Sequence, residues 1–185
     1  MTYSSMLQAF EALDDKRHLE TTRLTTSERM RWSNLRSELE QVLFQHCMDV
    51  DAERRKSLRT PVCLNVRYWT QAELCDRTIR TLSEGGLFIA TDKPLPIGSR
   101  LELDIELVRD EHRLCLQGEV VSRVQGESPE QRGMGIKFID IPYEKRFFLH
   151  HLIKDIVRHR LLERRGSARL AALLPVQFIY SDGFV

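Results

Sequence analysis

The chain has 185 residues and a mass of 21.7 kDa, which leaves room for one ordinary domain with a substantial extension. With 42% hydrophobic residues it can bury a real core, and with 28 basic against 27 acidic residues it carries a formal charge of +1. That balance excludes a uniformly charged tail protein and argues against a globally basic nucleic-acid coat.

Residues 1–50 contain no glycine and no proline, and their apolar residues recur at steps of three and four, the spacing of a helix. One run carries Met6, Phe10 and Leu13. A second carries Trp32, Leu35, Leu39, Val42 and Leu43, and it opens with Thr25 and Glu28 at the spacing of a capping box. The steps from Trp32 to Val42 also fit about two heptads of an a/d seam, so the stripe either packs on the rest of the chain or pairs as a coiled coil with another copy.

From residue 60 to 141 the period changes to two. Val62, Leu64, Val66 and Tyr68 alternate with Cys63, Asn65 and Arg67; Leu101, Leu103, Ile105 and Leu107 alternate with Glu102, Asp104 and Glu106. Both patterns predict strands with one wet face. Further strands are expected at 74–80, 86–90, 113–124 and 133–139, and such regularly spaced short strands argue for a barrel or sandwich. The acidic outer face of 101–107 opposes nucleic-acid binding there.

After Pro142 helix spacing returns, with Phe148, Leu149, Leu152, Ile153, Ile156 and Val157 on one side, and Arg158, Arg160, Arg164, Arg165 and Arg169 near the distal end. Residues 163–169 repeat the pattern of 53–59 at an offset of 110, and each copy is followed by Pro-Val, at Pro61-Val62 and Pro175-Val176. The tail can thus be read as a remnant strand of a second copy, as a strand added to a barrel edge, or as a chance similarity.

Generic catalytic constellations are missing from the sequence. His150 and His151 are adjacent and would point about 100° apart on a helix, so they cannot share one metal unaided, and no metal site is expected. There is no Walker loop, G-x-S-x-G elbow or H-E-x-x-H, which makes an enzyme the less favoured class. Cys47, Cys63, Cys75 and Cys115 form no C-x-x-C pair and read as free thiols of a reducing cytoplasm. No run of about eighteen apolar residues exists, and the start lacks a signal-peptide pattern, so a soluble cytoplasmic protein without a membrane span is expected.

Two short stretches carry more information together than apart. Glu53-Arg54-Arg55-Lys56-Ser57-Leu58-Arg59 lies just before the first strand, and Thr81-Leu82-Ser83-Glu84-Gly85-Gly86-Leu87-Phe88 lies at a turn between strands. Here the chain resembles the PilZ family, whose pattern is R-x-x-x-R ahead of a six-stranded barrel, then D/N-x-S-x-x-G and often G-(L/I)-F. Arg55 and Arg59, with Arg54 beside them, match the first motif; Ser83 and Gly86 match the second. Residues 118–124 and 133–138 resemble later strands of the family, and the likeness covers roughly 53–160.

Periodicity and the resemblance together imply a mainly β fold with α extensions: a six-stranded antiparallel barrel over 53–141 from the resemblance, with a helical extension over 1–52 and a long helix with a strand-like tail over 142–185 from the apolar spacing. The resemblance further implies a non-enzymatic bacterial receptor for cyclic di-GMP, without a cofactor, using Arg54, Arg55, Arg59, Thr81, Ser83 and Gly86. The chemistry of the residues agrees with that role. Arginine offers a flat, permanent charge that grips phosphate bidentately, pairs with guanine O6 and N7, or stacks on the base. Thr81 departs from the family's Asp or Asn and cannot supply a carboxylate's charge-assisted bonds to guanine. The alternative is therefore a degenerate PilZ scaffold that acts through oligomerisation and protein partners. In either case the helical segments are expected to mediate self-association and contact with an unidentified partner in motility or secretion.

Overall fold

The computed structural model describes residues 3–18, 23–44, 57–70, 73–107, 113–126, 128–129 and 131–163. Helix α1 spans Tyr3–His18 and α2 spans Thr26–Leu43. The capping box forms as its sequence demands: the Glu28 backbone N–H donates to Thr25 Oγ1 at 3.2 Å, and the Thr25 N–H donates to Glu28 Oε2 at 2.8 Å. Glu28 also accepts a bond from Lys16 Nζ at 2.6 Å, which ties the end of α1 to the start of α2. Phe10 stacks on Trp32 with ring centroids 6.0 Å apart, so the two helices fold back on each other along their apolar faces.

Six strands follow: β1 (Thr60–Trp69), β2 (Leu74–Ser83), β3 (Gly86–Ala90), β4 (Arg100–Glu106), β5 (Arg113–Val124) and β6 (Gly133–Ile139). They close into an antiparallel barrel in the order β1-β2-β3-β6-β5-β4. The period of two decides which side chains go inside. Val66, Ile79, Ile89, Leu103, Ile105, Val120 and Met134 are almost completely buried in it, while the alternate residues of β4, Glu102 and Glu106, face out. Closure pairs every strand on both sides, so the described barrel leaves no free edge for an added strand. The tail over 164–185, the Arg-rich repeat at its start included, lies outside the described residues.

One boundary differs from the sequence reading. β2 continues to Ser83, three residues beyond the expected 80, so Thr81 and Ser83 sit in the strand and the turn is reduced to Glu84-Gly85. Thr81 pairs with Pro61 on one side and Phe88 on the other, each pair lying beside a register shift, between Pro61 and Leu64 and between Ile79 and Thr81.

Helix α3 (Tyr143–Glu163) packs on the barrel and on the helical pair. Its stripe of Leu149, Ile153, Val157 and Leu161, spaced four apart, is buried, and Phe148, Leu152 and Ile156 lie partly buried beside it. Together with Met6, Leu7 and Phe10 of α1, and Trp32, Leu35, Leu39 and Leu43 of α2, this stripe is continuous with the barrel core. The apolar faces that the sequence exposes on paper are thus covered within a single chain. Burial of each such leucine contributes about 1.5–3 kcal/mol, enough to hold helices that would be marginal alone. No helix among the described residues is long and apolar enough to cross a membrane.

Candidate functional site

The barrel topology brings the two sequence motifs together. β1 begins at Thr60 beside the end of β2, with Thr60 opposite Leu82 and Pro61 opposite Thr81. The residue before β1, Arg59, is therefore delivered to the rim where β2 turns into β3. Arg59, Thr81, Ser83, Gly85 and Gly86 line one depression of about 380 Å³, together with Ser122, Lys137 and the apolar Phe88, Val121 and Val124. Arg54 and Arg55 lie outside the described residues. Two larger depressions, of about 600 and 740 Å³, contain none of the residues expected to bind a ligand.

Each residue of the depression has a local reason for its position. Arg59 is exposed, and its backbone N–H donates to Glu40 Oε1 of α2 at 2.9 Å. Ser83 is buried; its hydroxyl donates to the Gly86 carbonyl at 3.1 Å and so closes the turn. The glycine at 86 is required by close approach: a Cβ there would lie 2.1 Å from the Ile136 carbonyl oxygen. Across the same junction the Phe138 N–H donates to the Gly85 carbonyl at 2.9 Å. Lys137 is exposed at the rim, as are Val121 and Val124. The result is a shallow surface with cations at its edge, hydroxyls and glycine backbone at its base, and exposed apolar side chains that a flat ring can cover.

The turn itself is clamped from outside by residues that the motifs do not include. Glu84 Oε1 lies 2.7 Å from His150 Nδ1 on α3, and Glu84 Oε2 lies 3.0 Å from His18 Nε2 on α1. Arg17 Nη2 is 3.5 Å from the same carboxylate and 3.1 Å from Asp14 Oδ1. The second nitrogen of each ring is also tied: His18 Nδ1 to the Asp14 carbonyl at 2.8 Å, and His150 Nε2 to Asp15 Oδ1 at 3.1 Å. The hydrogen bond to Glu84 raises the pKa of His18. Burial works to lower that of His150, and its carboxylate partners overcome this and raise it. Burial likewise opposes the charge of Glu84, but the two imidazoles and Arg17 hold its pKa well below the usual carboxylate range. Among these only Glu84 falls inside a recognised motif, at an unspecified position. The separation of 66 residues from Glu84 to either histidine left the sequence no local signal for the cluster.

Comparison with known proteins bears on the fold that carries this depression. A profile of the PilZ domain matches residues 53–155. Among solved structures, the chain is similar to Escherichia coli YcgR in complex with c-di-GMP, with a TM-score of 0.54 and 14% identity over 61% of this chain and 50% of that one. It is similar to the K. pneumonia MrkH–c-di-GMP complex, with a TM-score of 0.53 and 14% identity over 61% and 56% of the two chains. The PilZ domain of YcgR with c-di-GMP matches with a TM-score of 0.50 and 14% identity, over 60% of this chain and 98% of that one. At such identities the likeness is one of fold, and the matched region spans about half the length of the YcgR and MrkH chains. No curated protein matches.

Proposed function

Because the chain belongs to the PilZ domain family, we propose that it is a non-enzymatic signalling receptor or adaptor that binds cyclic di-GMP in the depression between Arg59 and the β2–β3 turn. The observation that carries this reading is the convergence of Arg59, Thr81, Ser83 and Gly86, 22 to 27 residues apart in sequence, on one surface with Lys137 and Ser122. The ligand is a dianion with two purine faces. Arg59 and Lys137 meet its phosphates, Arg54 and Arg55 add charge and stacking surface from the preceding segment, and Ser83 with the glycine backbone receives the ligand closely.

In this reading residues 53–141 take the ligand, while 1–52 and 142–185 carry the output to a second copy of the chain or to an unidentified protein partner. Ligand binding orders the arginine segment and shifts how the barrel meets its helices. Titration calorimetry with cyclic di-GMP tests the proposal, with Arg55→Ala and Arg59→Ala as controls. Saturable heat that either substitution weakens at least tenfold supports it; no heat at about 100 μM ligand, equivalent to about −5.5 kcal/mol, rejects it. Thr81 favours a second reading, since a hydroxyl at the first motif position forgoes a charge-assisted bond worth about 1.5–3 kcal/mol. Absence of heat in that titration leaves the ligand-free scaffold as the surviving function of the fold.

A further inference from the structure

We propose that Asp14, His18, Glu84 and His150 form a binding site for one divalent transition-metal ion of the zinc class, joining both helical extensions to the β2–β3 turn. The four side chains come from α1, α3 and the turn, and one ligand atom from each lies within 4.8 Å of the other three. Around a tetrahedral zinc with bonds of about 2.0–2.1 Å, neighbouring ligand atoms sit about 3.3 Å apart. The observed separations bracket this value: 3.0 Å from His18 Nε2 to Glu84 Oε2, 2.7 Å from His150 Nδ1 to Glu84 Oε1, and 3.6 Å from His150 Nδ1 to Asp14 Oδ2. The close His–Glu84 contacts would open by a few tenths of an ångström around an ion, and the wider separations, up to 4.8 Å, would close.

The surroundings are those of oriented metal ligands. Metal-bound histidine commonly gives its second ring N–H to a carbonyl or carboxylate. His18 Nδ1 meets the Asp14 carbonyl and His150 Nε2 meets Asp15, so in both rings the nitrogen facing the cluster is left as the ligand. Asp14 is aimed in the same manner, because the buried Trp32 Nε1–H donates to its Oδ1 at 2.8 Å and leaves Oδ2 toward His150. Two imidazoles with two carboxylates suit zinc and its transition-metal neighbours, whereas calcium and magnesium take oxygen sets. Arg17 stands beside Asp14 and Glu84 as a competing cation. A divalent ion carries twice the charge of that guanidinium and would meet the same two carboxylates. Asp14 and His150 are buried, while the side chain of His18 retains 30% of its exposure and leaves a way in.

The test uses the whole chain, stripped with chelator and titrated with zinc chloride against a chromophoric competitor, with cobalt(II) as a spectroscopic probe. One equivalent should bind. Glu84→Gln and His18→Gln should each weaken binding at least tenfold, Asp15→Asn should weaken it about 10–100-fold through His150, and His159→Gln should change nothing. Cobalt should show the intense visible bands of tetrahedral coordination, lost in His18→Gln. Should Glu84→Gln unfold by circular dichroism, His18→Gln decides alone, because its ring is the most exposed of the four. Failure to bind one equivalent, or binding that is insensitive to His18→Gln, overturns the proposal. The titration contains no cyclic di-GMP, so its outcome stands apart from the ligand reading.

Discussion

Gly86→Ala separates what the second motif does for the barrel from what it does for a ligand. A Cβ at residue 86 would lie 2.1 Å from the Ile136 oxygen, 3.2 Å from the Ile136 carbonyl carbon and 3.3 Å from Lys137 Cα. All three atoms are backbone, so no rotamer change relieves the clash, and β3 must retreat from β6 by more than an ångström. That movement strains the Gly86–Lys137 pairing and the 2.9 Å bond from the Phe138 N–H to the Gly85 carbonyl. Overpacking costs about 1–3 kcal/mol, and one weakened hydrogen bond adds about 0.5–1.5 kcal/mol, for a loss of roughly 2–4 kcal/mol. At about 2–4 °C per kcal/mol for a chain of this size, Tm should fall by roughly 5–15 °C. Gly98→Ala is the contrasting control. Gly98 has φ +89° with nothing within 4 Å of its added Cβ, so it pays only for left-handed backbone, about 1–2 kcal/mol. Urea denaturation followed by circular dichroism reads both. A Gly86→Ala protein within 0.5 kcal/mol of wild type would refute the packing argument and leave the glycine with a ligand role alone.

Two further outcomes follow from the site and the core. Thr81→Asp restores the charge-assisted acceptor at a position lining the depression and should tighten cyclic di-GMP by roughly 10–150-fold, at a cost of up to about 1 kcal/mol in strand stability; calorimetry beside a thermal melt checks it, and unchanged affinity removes residue 81 from the site. Burial, aided by neighbouring Cys75, pushes the Tyr68 phenol up to about 12. The folded chain therefore keeps a proton that the unfolded chain releases near pH 10, so stability present below pH 10 is lost as pH rises through the folded value. Tyr68→Phe should remove that part of the alkaline slope in denaturant titrations, and an identical slope in both proteins refutes the assignment.

The parts of this molecule that the sequence discloses are those whose physics is local. Alternation in 62–68 and 101–107 specifies a strand with one buried face, and the barrel follows because every such strand finds neighbours on both sides. The capping box at Thr25 needs only three residues of spacing. The candidate site was named from a resemblance, and pairing supplies the juxtaposition: a strand that starts at Thr60 and pairs with one that ends at Ser83 carries Arg59 to the turn. Where β2 stops was harder to read: the polar Thr81 and Ser83 beside Glu84-Gly85 look like part of the turn, whereas both are paired in the strand, and Gly86 opens β3 where expected. The histidines show the opposite limit. His150 beside His151 reads as a pair that cannot chelate, yet helix geometry turns His150 away from its neighbour and toward Glu84, and α1 brings His18 to the same carboxylate. Only the tertiary packing of α1 and α3 on the barrel creates that cluster.

The near neutrality of the whole chain takes on a more definite meaning in this arrangement. Arg59 and Lys137 stand at the rim of the depression, and two acidic residues, Glu40 and Glu84, tie that rim to the helices. Glu40 accepts from the Arg59 backbone, and Glu84 is held by two imidazoles and Arg17. The same two glutamates link the site to the helices: Glu40 joins the Arg59 backbone to α2, and Glu84 joins the turn to α1 and α3. Hydrogen bonds to charged groups contribute about 1.5–3 kcal/mol each, the same range as a typical coupling free energy of 1–3 kcal/mol between sites. In the function proposed above, these two contacts are the route by which an event at the mouth of the barrel reaches the helical extension, with energies of that size.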